Sequence, residues 1–173
     1  MTTLQADNTL RYTFSKNERL CSVKRIDRLF QGGGSKAMSA FPLRMVYVPI
    51  DKENGGEPCA QILVSVSKRH FHHAVDRNRV KRQVREAYRL NKHVVWQAMQ
   101  QYMPQKQLLI AFIYLDDHHH SSQTIHTKMV SLLNRLAERL VKQTAQGQEN
   151  KDNAHNNDTA QREARHKKVD GKA

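Results

Sequence analysis

Residues 107–115 read QLLIAFIYL. Both sets of alternating positions are apolar, the pattern of a β-strand covered on its two faces, although a buried helix can share it. A strand of that kind belongs in the middle of a sheet, with other elements packed on either side. The remaining patterns supply those neighbours. FPLRMVYVP, from Phe41 to Pro49, and QILVSVS at 61–67 are rich in β-branched and aromatic residues. The Gly55-Gly56 pair lies between them, which predicts strand, turn and strand, antiparallel if the turn is tight. Val23, Ile26, Leu29 and Phe30 recur at helical spacing after Ser22 and are stopped by Gly32-Gly33-Gly34, so a short helix is expected over 22–31. Two longer stretches, 76–102 and 123–143, keep the same period. In the second, Ile125, Met129, Leu132, Leu133, Leu136 and Leu140 form one stripe, and Ser122 or Thr124 can cap its start. The order helix, strands, helix, strand, helix predicts a mixed α and β domain in two layers.

The ends of the chain do not share these patterns. AQGQENKDNAHNNDTAQREARHKKVDGKA, from Ala145 to Ala173, holds one aliphatic residue larger than Ala and no aromatic residue. It cannot bury enough apolar surface to offset its ordering entropy, so 145–173 is expected to be a disordered polar tail. Residues 1–14 are expected to be a flexible lead, leaving 15–144 as the folded domain. No run is long and apolar enough for a membrane span, and MTTLQADNTLRYTF lacks the layout of a signal peptide, so a soluble, cytoplasmic protein with no membrane partner is expected. Cys21 and Cys59 have no CxxC spacing and read as two reduced thiols.

The chain carries 29 Lys+Arg against 16 Asp+Glu, a formal net charge of +13. The tail accounts for only one unit of that excess, so the charge belongs to the domain. VSKRHFHHAVDRNRVKRQVREAYRLNK, residues 66–92, has nine basic and two acidic residues. On a helix advancing 100° per residue from Val80, Val84, Ala87, Tyr88, Val94, Val95 and Ala98 fall between roughly −40° and +80°. Lys81, Arg82, Arg85, Arg89 and Lys92 fall between roughly 100° and 200°. A charged helix face is often no more than a solvated surface. Such faces, however, usually alternate acid with base, because like charges four residues apart repel, and Lys81, Arg85 and Arg89 follow one another at that spacing. Between Arg77 and Arg89 stand five arginines and one lysine, and the guanidinium fork matches phosphate oxygens two at a time. The pattern points to a nucleic acid, bound through its backbone.

The run Ala74-Val75-Asp76-Arg77-Asn78-Arg79-Val80-Lys81-Arg82-Gln83-Val84-Arg85-Glu86-Ala87-Tyr88-Arg89 closely resembles the RNR signature of the protein subunits of bacterial ribonuclease P. KNERL at 16–20, Ile26 and Phe30 on the first helix, and SVSK at 65–68 extend the resemblance over residues 15–140. Departures are His70-Phe71-His72-His73 where Gly-Asn usually precedes the signature helix, Arg44 where an aromatic residue is common, the long 51–59 loop and the tail. The resemblance implies an α+β fold, a two-layer α/β sandwich of order αβββαβα with a left-handed βαβ crossover, ribosomal protein S5 domain 2-like. It implies an RNA-dependent endoribonuclease that removes the 5′ leader of precursor tRNA, with Mg²⁺ held by the catalytic RNA subunit and no catalytic or metal-binding residue in the protein. By the same resemblance Lys68, Arg69, Arg77, Asn78, Arg79, Lys81, Arg82, Arg85 and Arg89 would hold the catalytic RNA. A cleft between the first helix and the sheet would hold the single-stranded leader, with Ile26, Phe30, Phe41 and Tyr47 for stacking and Arg19, Lys24, Lys68 and Arg69 for its phosphates. Phe30, Phe41 and Tyr47 also suit a core.

Two other readings remain at this stage. One is a ribosomal or assembly protein that binds structured RNA without a catalytic partner. The other is a metallonuclease built on Asp116, Asp117 and His118, since carboxylate and imidazole are ordinary metal ligands, although a turn after Leu115 accounts for Asp-Asp equally well. No GxSxG, HExxH, Walker or GxGxxG motif occurs.

Overall fold

The apolar run near 107–115 forms β4 (Lys106–Tyr114), and it does lie inside the sheet. The computed structural model describes residues 13–31, 33–53 and 56–144 in full and the backbone of 145–167. A one-turn 3₁₀ segment (Lys16–Glu18) precedes α1 (Val23–Gln31), β1 (Lys36–Ala40), β2 (Leu43–Asp51) and β3 (Ala60–Val66). Then come α2 (Ala74–Asn91), α3 (His93–Tyr102), β4 and α4 (Ser122–Lys167). The strands are ordered β1-β2-β4-β3, with β4 antiparallel to β2 and parallel to β3. The segment between β2 and β3 therefore does not close a hairpin. A strand apolar on both faces has more to bury between two neighbours than at an edge, so β4 separates β2 from β3.

Alternation along the strands sorts the core into two parts. Leu43, Met45 and Tyr47 of β2, Ile62, Val64 and Val66 of β3, and Leu108, Ile110, Phe112 and Tyr114 of β4 face α2, α3 and α4. The helices answer with Val80, Val84, Ala87 and Tyr88, with Val95, Ala98 and Met99, and with the expected α4 stripe from Ile125 to Leu140. The opposite face offers Val48, Ile50, Leu109 and Ala111 to Leu20 and Leu29, with Ile26 packed alongside. Helices thus cover both faces of the sheet, α1 on one and α2, α3 and α4 on the other. The free edge of β3 is partly covered by the segment before α1, where the Leu20 N–H donates to the Ile62 carbonyl at 2.9 Å.

Several local expectations change. The 76–102 stretch is two helices that meet at Lys92. Asn91 Nδ2 donates to the Ala87 carbonyl at 2.8 Å, a side-chain bond that competes with the helical ladder there. Ser121, rather than Ser122 or Thr124, caps α4, its Oγ accepting the Thr124 N–H at 3.1 Å. Beyond α1, Gly33 has φ +68, the left-handed backbone that stops a helix and favours glycine. Phe14, at the end of the expected flexible lead, packs edge-on against Tyr88 with ring centroids 6.1 Å apart. Residues 1–12 and 168–173 lie outside the described residues.

The backbone of α4 continues to Lys167, across much of the expected tail. Extending a helix that is already packed avoids the cost of nucleating one, which lets a sequence with no core residues stay helical. Leu140 is the last residue of α4 described as buried. Deleting 146–173 should therefore shift the melting temperature by less than about 2 °C. A cooperative drop of many degrees in a thermal melt would show that the segment carries packing of its own.

Candidate nucleic-acid interface

Burying Val80, Val84, Ala87 and Tyr88 fixes the rotation of α2 and sends the residues between them outward. Asn78, Arg79, Arg82 and Arg85 are exposed on this helix, and Lys81 is half-buried. Lys68 and Arg69, both exposed, stand in the turn that follows β3 and leads to the same helix. The structure thus brings the cationic residues of the signature onto one helix and its approach. Three of the cations have prior engagements. Arg77 Nη1 donates to the carbonyls of Phe71 (2.9 Å) and His72 (2.7 Å), fastening the loop before α2. Arg89 makes a two-pronged ion pair with Glu86 at 2.9 and 2.6 Å, which raises the Arg89 pKa and lowers that of Glu86. Lys92, on the basic side of the helical wheel, is 4% exposed and belongs to the interior. Its Nζ donates to Glu18 Oε2 at 2.8 Å and to the Thr13 carbonyl, and sits 4.3 Å from the centre of the Trp96 ring.

The residues expected in a cleft beside α1 do not stay together. Phe30, 48% exposed, and Lys24 lie on α1, and Ile26 is half-buried against the second core cluster. Tyr47 is fully buried on the other face of the sheet, because odd-numbered residues of β2 face α2 and α4, so it offers no stacking surface. Phe41 is 58% exposed in the β1–β2 turn, with its ring edge-on to His120 at 5.9 Å. The Arg19 guanidinium carbon lies 5.7 Å from the centre of the Phe14 ring, on the side of the molecule where Phe14 meets Tyr88. The face that carries α1 instead offers Arg44, exposed and paired in register with half-buried Ile113.

Arg25 is the functional-looking residue that sequence reasoning missed. Its guanidinium joins Gln61 (3.0 Å), Gln107 (2.9 Å), Glu53 (3.2 Å) and Glu57 (2.5 Å), pinning α1 to the sheet and to the loop between β2 and β3. The hydrogen bond it donates to Glu57 is the main reason its pKa is raised. All four partners are distant in sequence, so no local motif announces them.

Asp116, Asp117 and His118 place their donor atoms within 4.8 Å of one another. They also satisfy each other. Asp116 Oδ1 accepts the N–H groups of Asp117 (2.8 Å) and His118 (3.3 Å), while Oδ2 meets His120 Nε2 at 2.6 Å. The His120 bond is the first cause holding the Asp116 carboxyl well below its usual range, and the bond to Asp116 raises His118. His119 stacks on Phe71 with centroids 4.7 Å apart and meets Asp76 at 3.0 Å, so this loop docks on the start of α2.

The Ribonuclease P family matches residues 14–137, from Phe14 to Ala137 within α4. The chain belongs to the ribonuclease P protein family. A ribonuclease P protein component from Porphyromonas gingivalis is 41% identical over 129 residues, 73% of this chain and 88% of the relative. One from Chlorobaculum tepidum is 34% identical over 91 residues, 51% of this chain and 58% of the relative. Among solved structures, the RNase P protein from Thermotoga maritima is 24% identical, with a TM-score of 0.49, covering 68% of this chain and 96% of that one. The Staphylococcus aureus RNase P protein is 15% identical, with a TM-score of 0.47, covering 69% and 94%. The family match includes the whole of α2 and the segment around Glu18 that pairs with Lys92. Among the described residues, no helix is long and apolar enough to cross a membrane.

Proposed function

We propose that this ribonuclease P protein binds the catalytic RNA through α2 and the 5′ leader of precursor tRNA beside α1, and that the RNA subunit performs the hydrolysis with Mg²⁺. The observation that carries this reading is the division of α2: one face is sealed into the core, and the other holds Arg79, Arg82 and Arg85 in the open with like charges as neighbours. A merely soluble helix gains nothing from that spacing, whereas a polyanion is rewarded for it by counterion release. A-form RNA has a major groove too narrow for side-chain readout, so these arginines would read shape and phosphate positions. The protein's residues suit binding and orientation. The Asp116 cluster supports a turn, each donor being engaged by its neighbours, and gives no reason to assign it the chemistry.

Reconstitution tests the division of labour. The protein with the catalytic RNA, precursor tRNA and Mg²⁺ should release the leader, and the protein with precursor tRNA and Mg²⁺ alone should release none. Cleavage by the protein alone would move the chemistry to the Asp116 cluster. No cleavage even with the catalytic RNA present, together with ribosomal RNA as the native co-purifying species, would favour the assembly-protein reading.

A leader site beside α1 predicts discrimination. Phe30→Leu keeps most of the apolar volume and should cost less than about 1.5 kcal/mol of stability. It should weaken binding of precursor tRNA to the reconstituted holoenzyme while leaving mature tRNA unchanged, because only the precursor has a leader to stack. Equal effects on both, or none on either, measured at one salt and Mg²⁺ concentration, would remove Phe30 from the site.

A further inference from the structure

A groove of about 650 Å³ runs between α2 and the first turns of α4, within the range of about 300–1,000 Å³ that small-molecule sites occupy. Its floor is apolar, made by Phe14, Ala87 and Leu90, although it opens beside the most basic part of the chain. Leu90 keeps 36% of its surface exposed there and Phe14 is only half-buried. Arg82 and Arg85 form its rim with the Glu86–Arg89 pair, so the rim keeps a net positive charge with Glu86 counted. The α4 side contributes polar groups, Gln123 among them.

Phe14 is held in this groove from several directions. Its ring meets Tyr88 edge-on, and the Arg19 guanidinium lies over it. The carbonyl of its neighbour Thr13 accepts from Lys92, which is itself locked to Glu18. An aromatic ring fixed in advance beside two exposed arginines is the arrangement that stacks a base and holds the phosphate attached to it. A base within an A-form duplex is stacked and paired and presents no free face, so the occupant must be unpaired.

We propose that the α2–α4 groove receives one unpaired nucleobase of the RNA bound on α2, stacked on Phe14 and Leu90, with its flanking phosphate on Arg82 and Arg85. The proposal rests on the RNA-binding reading of α2 and adds to it a site that reads a base as well as backbone. The leader site beside α1 is separate, since Phe30 and Ile26 lie on the opposite face of the sheet.

The test follows backbone and side-chain NMR signals of the full-length protein during titration with adenosine 5′-monophosphate and, in parallel, with ribose 5-phosphate. The nucleotide should move Phe14, Leu90 and Gln123, and ribose 5-phosphate should move only the signals near Arg82 and Arg85. Phe14→Leu should weaken the nucleotide about fivefold or more with the sugar phosphate unaffected. Leu90→Gln, at a floor residue that keeps 36% of its surface exposed, should act in the same direction and covers the case in which the Phe14 variant loses its fold. Saturating ribonuclease P RNA should displace the nucleotide. Equal responses to nucleotide and sugar phosphate, a response confined to Ile26 and Phe30, or retention of the nucleotide in the RNA complex would each overturn the base site while leaving RNA binding by α2 intact. Failure of the protein to bind that RNA at all would overturn the RNA-binding reading and the base site with it.

Discussion

Lys92→Met lowers the stability of the domain by about 3–5 kcal/mol at neutral pH, the usual cost of stranding one member of a buried ion pair. Glu18 is 3% exposed and Lys92 4%, and their contact at 2.8 Å joins the segment before α1 to the junction of α2 and α3. The substitution keeps the length of the side chain and removes the charge, so the loss comes from the carboxylate left behind rather than from a cavity. Adding Glu18→Gln to Lys92→Met should recover a large part of the loss, since a neutral amide costs less to bury than a lone charge. Urea unfolding of the two variants at neutral pH checks this, and equal stabilities of single and double variants would remove the ion pair as the cause.

Arg79, Arg82 and Arg85 changed together to Ala reduce affinity for the catalytic RNA about a hundredfold near 0.15 M salt, with the slope of log K against log salt falling by about one unit per phosphate contact removed. Stability should hardly change, because all three side chains are exposed and the change removes repulsion along α2. Arg77→Ala provides the contrast. It strips two hydrogen bonds from the loop that leads into α2 and should show in melting as well as in binding. If the triple variant binds RNA with an unchanged salt slope, α2 is not a phosphate-binding ridge.

What the sequence made legible was whatever depends on short spacing. The inside position of β4, the apolar stripe of α4 and the inward set Val80, Val84, Ala87 and Tyr88 follow from periods of two and 3.6 residues, which the chain keeps without interruption. The RNR run stood out because its charges defy the alternation of an ordinary surface helix. Features set by distant partners were not legible. Tyr47 looks like a stacking residue until the register of β2 against β4 assigns its face, and that register depends on a strand about sixty residues later. Lys92 shares the wheel position of the other α2 cations and differs from them in being buried against Glu18 and Trp96. The strand β1, reading KAMSA, has little β-propensity of its own and owes its pairing to β2. The four partners of Arg25 converge from two strands and a loop, a meeting that no window along the chain contains.

The placement of β4 between β2 and β3 also sets a timetable for synthesis. The two strands it joins are made well before it, with α2 and α3 emerging in between. Until Tyr114 has left the ribosome, the inner edges of β2 and β3 have no native neighbour, and β1–β2 can exist only as a two-stranded ribbon of marginal stability. The nascent chain therefore passes through an interval in which unpaired strand edges and an arginine-rich helix are exposed together, next to an abundant polyanion. Long-range closure of this kind is slow to form and prone to aggregation while incomplete. Refolding yield at physiological protein concentration should thus depend on the polyanion present more than the stability of the finished domain would suggest.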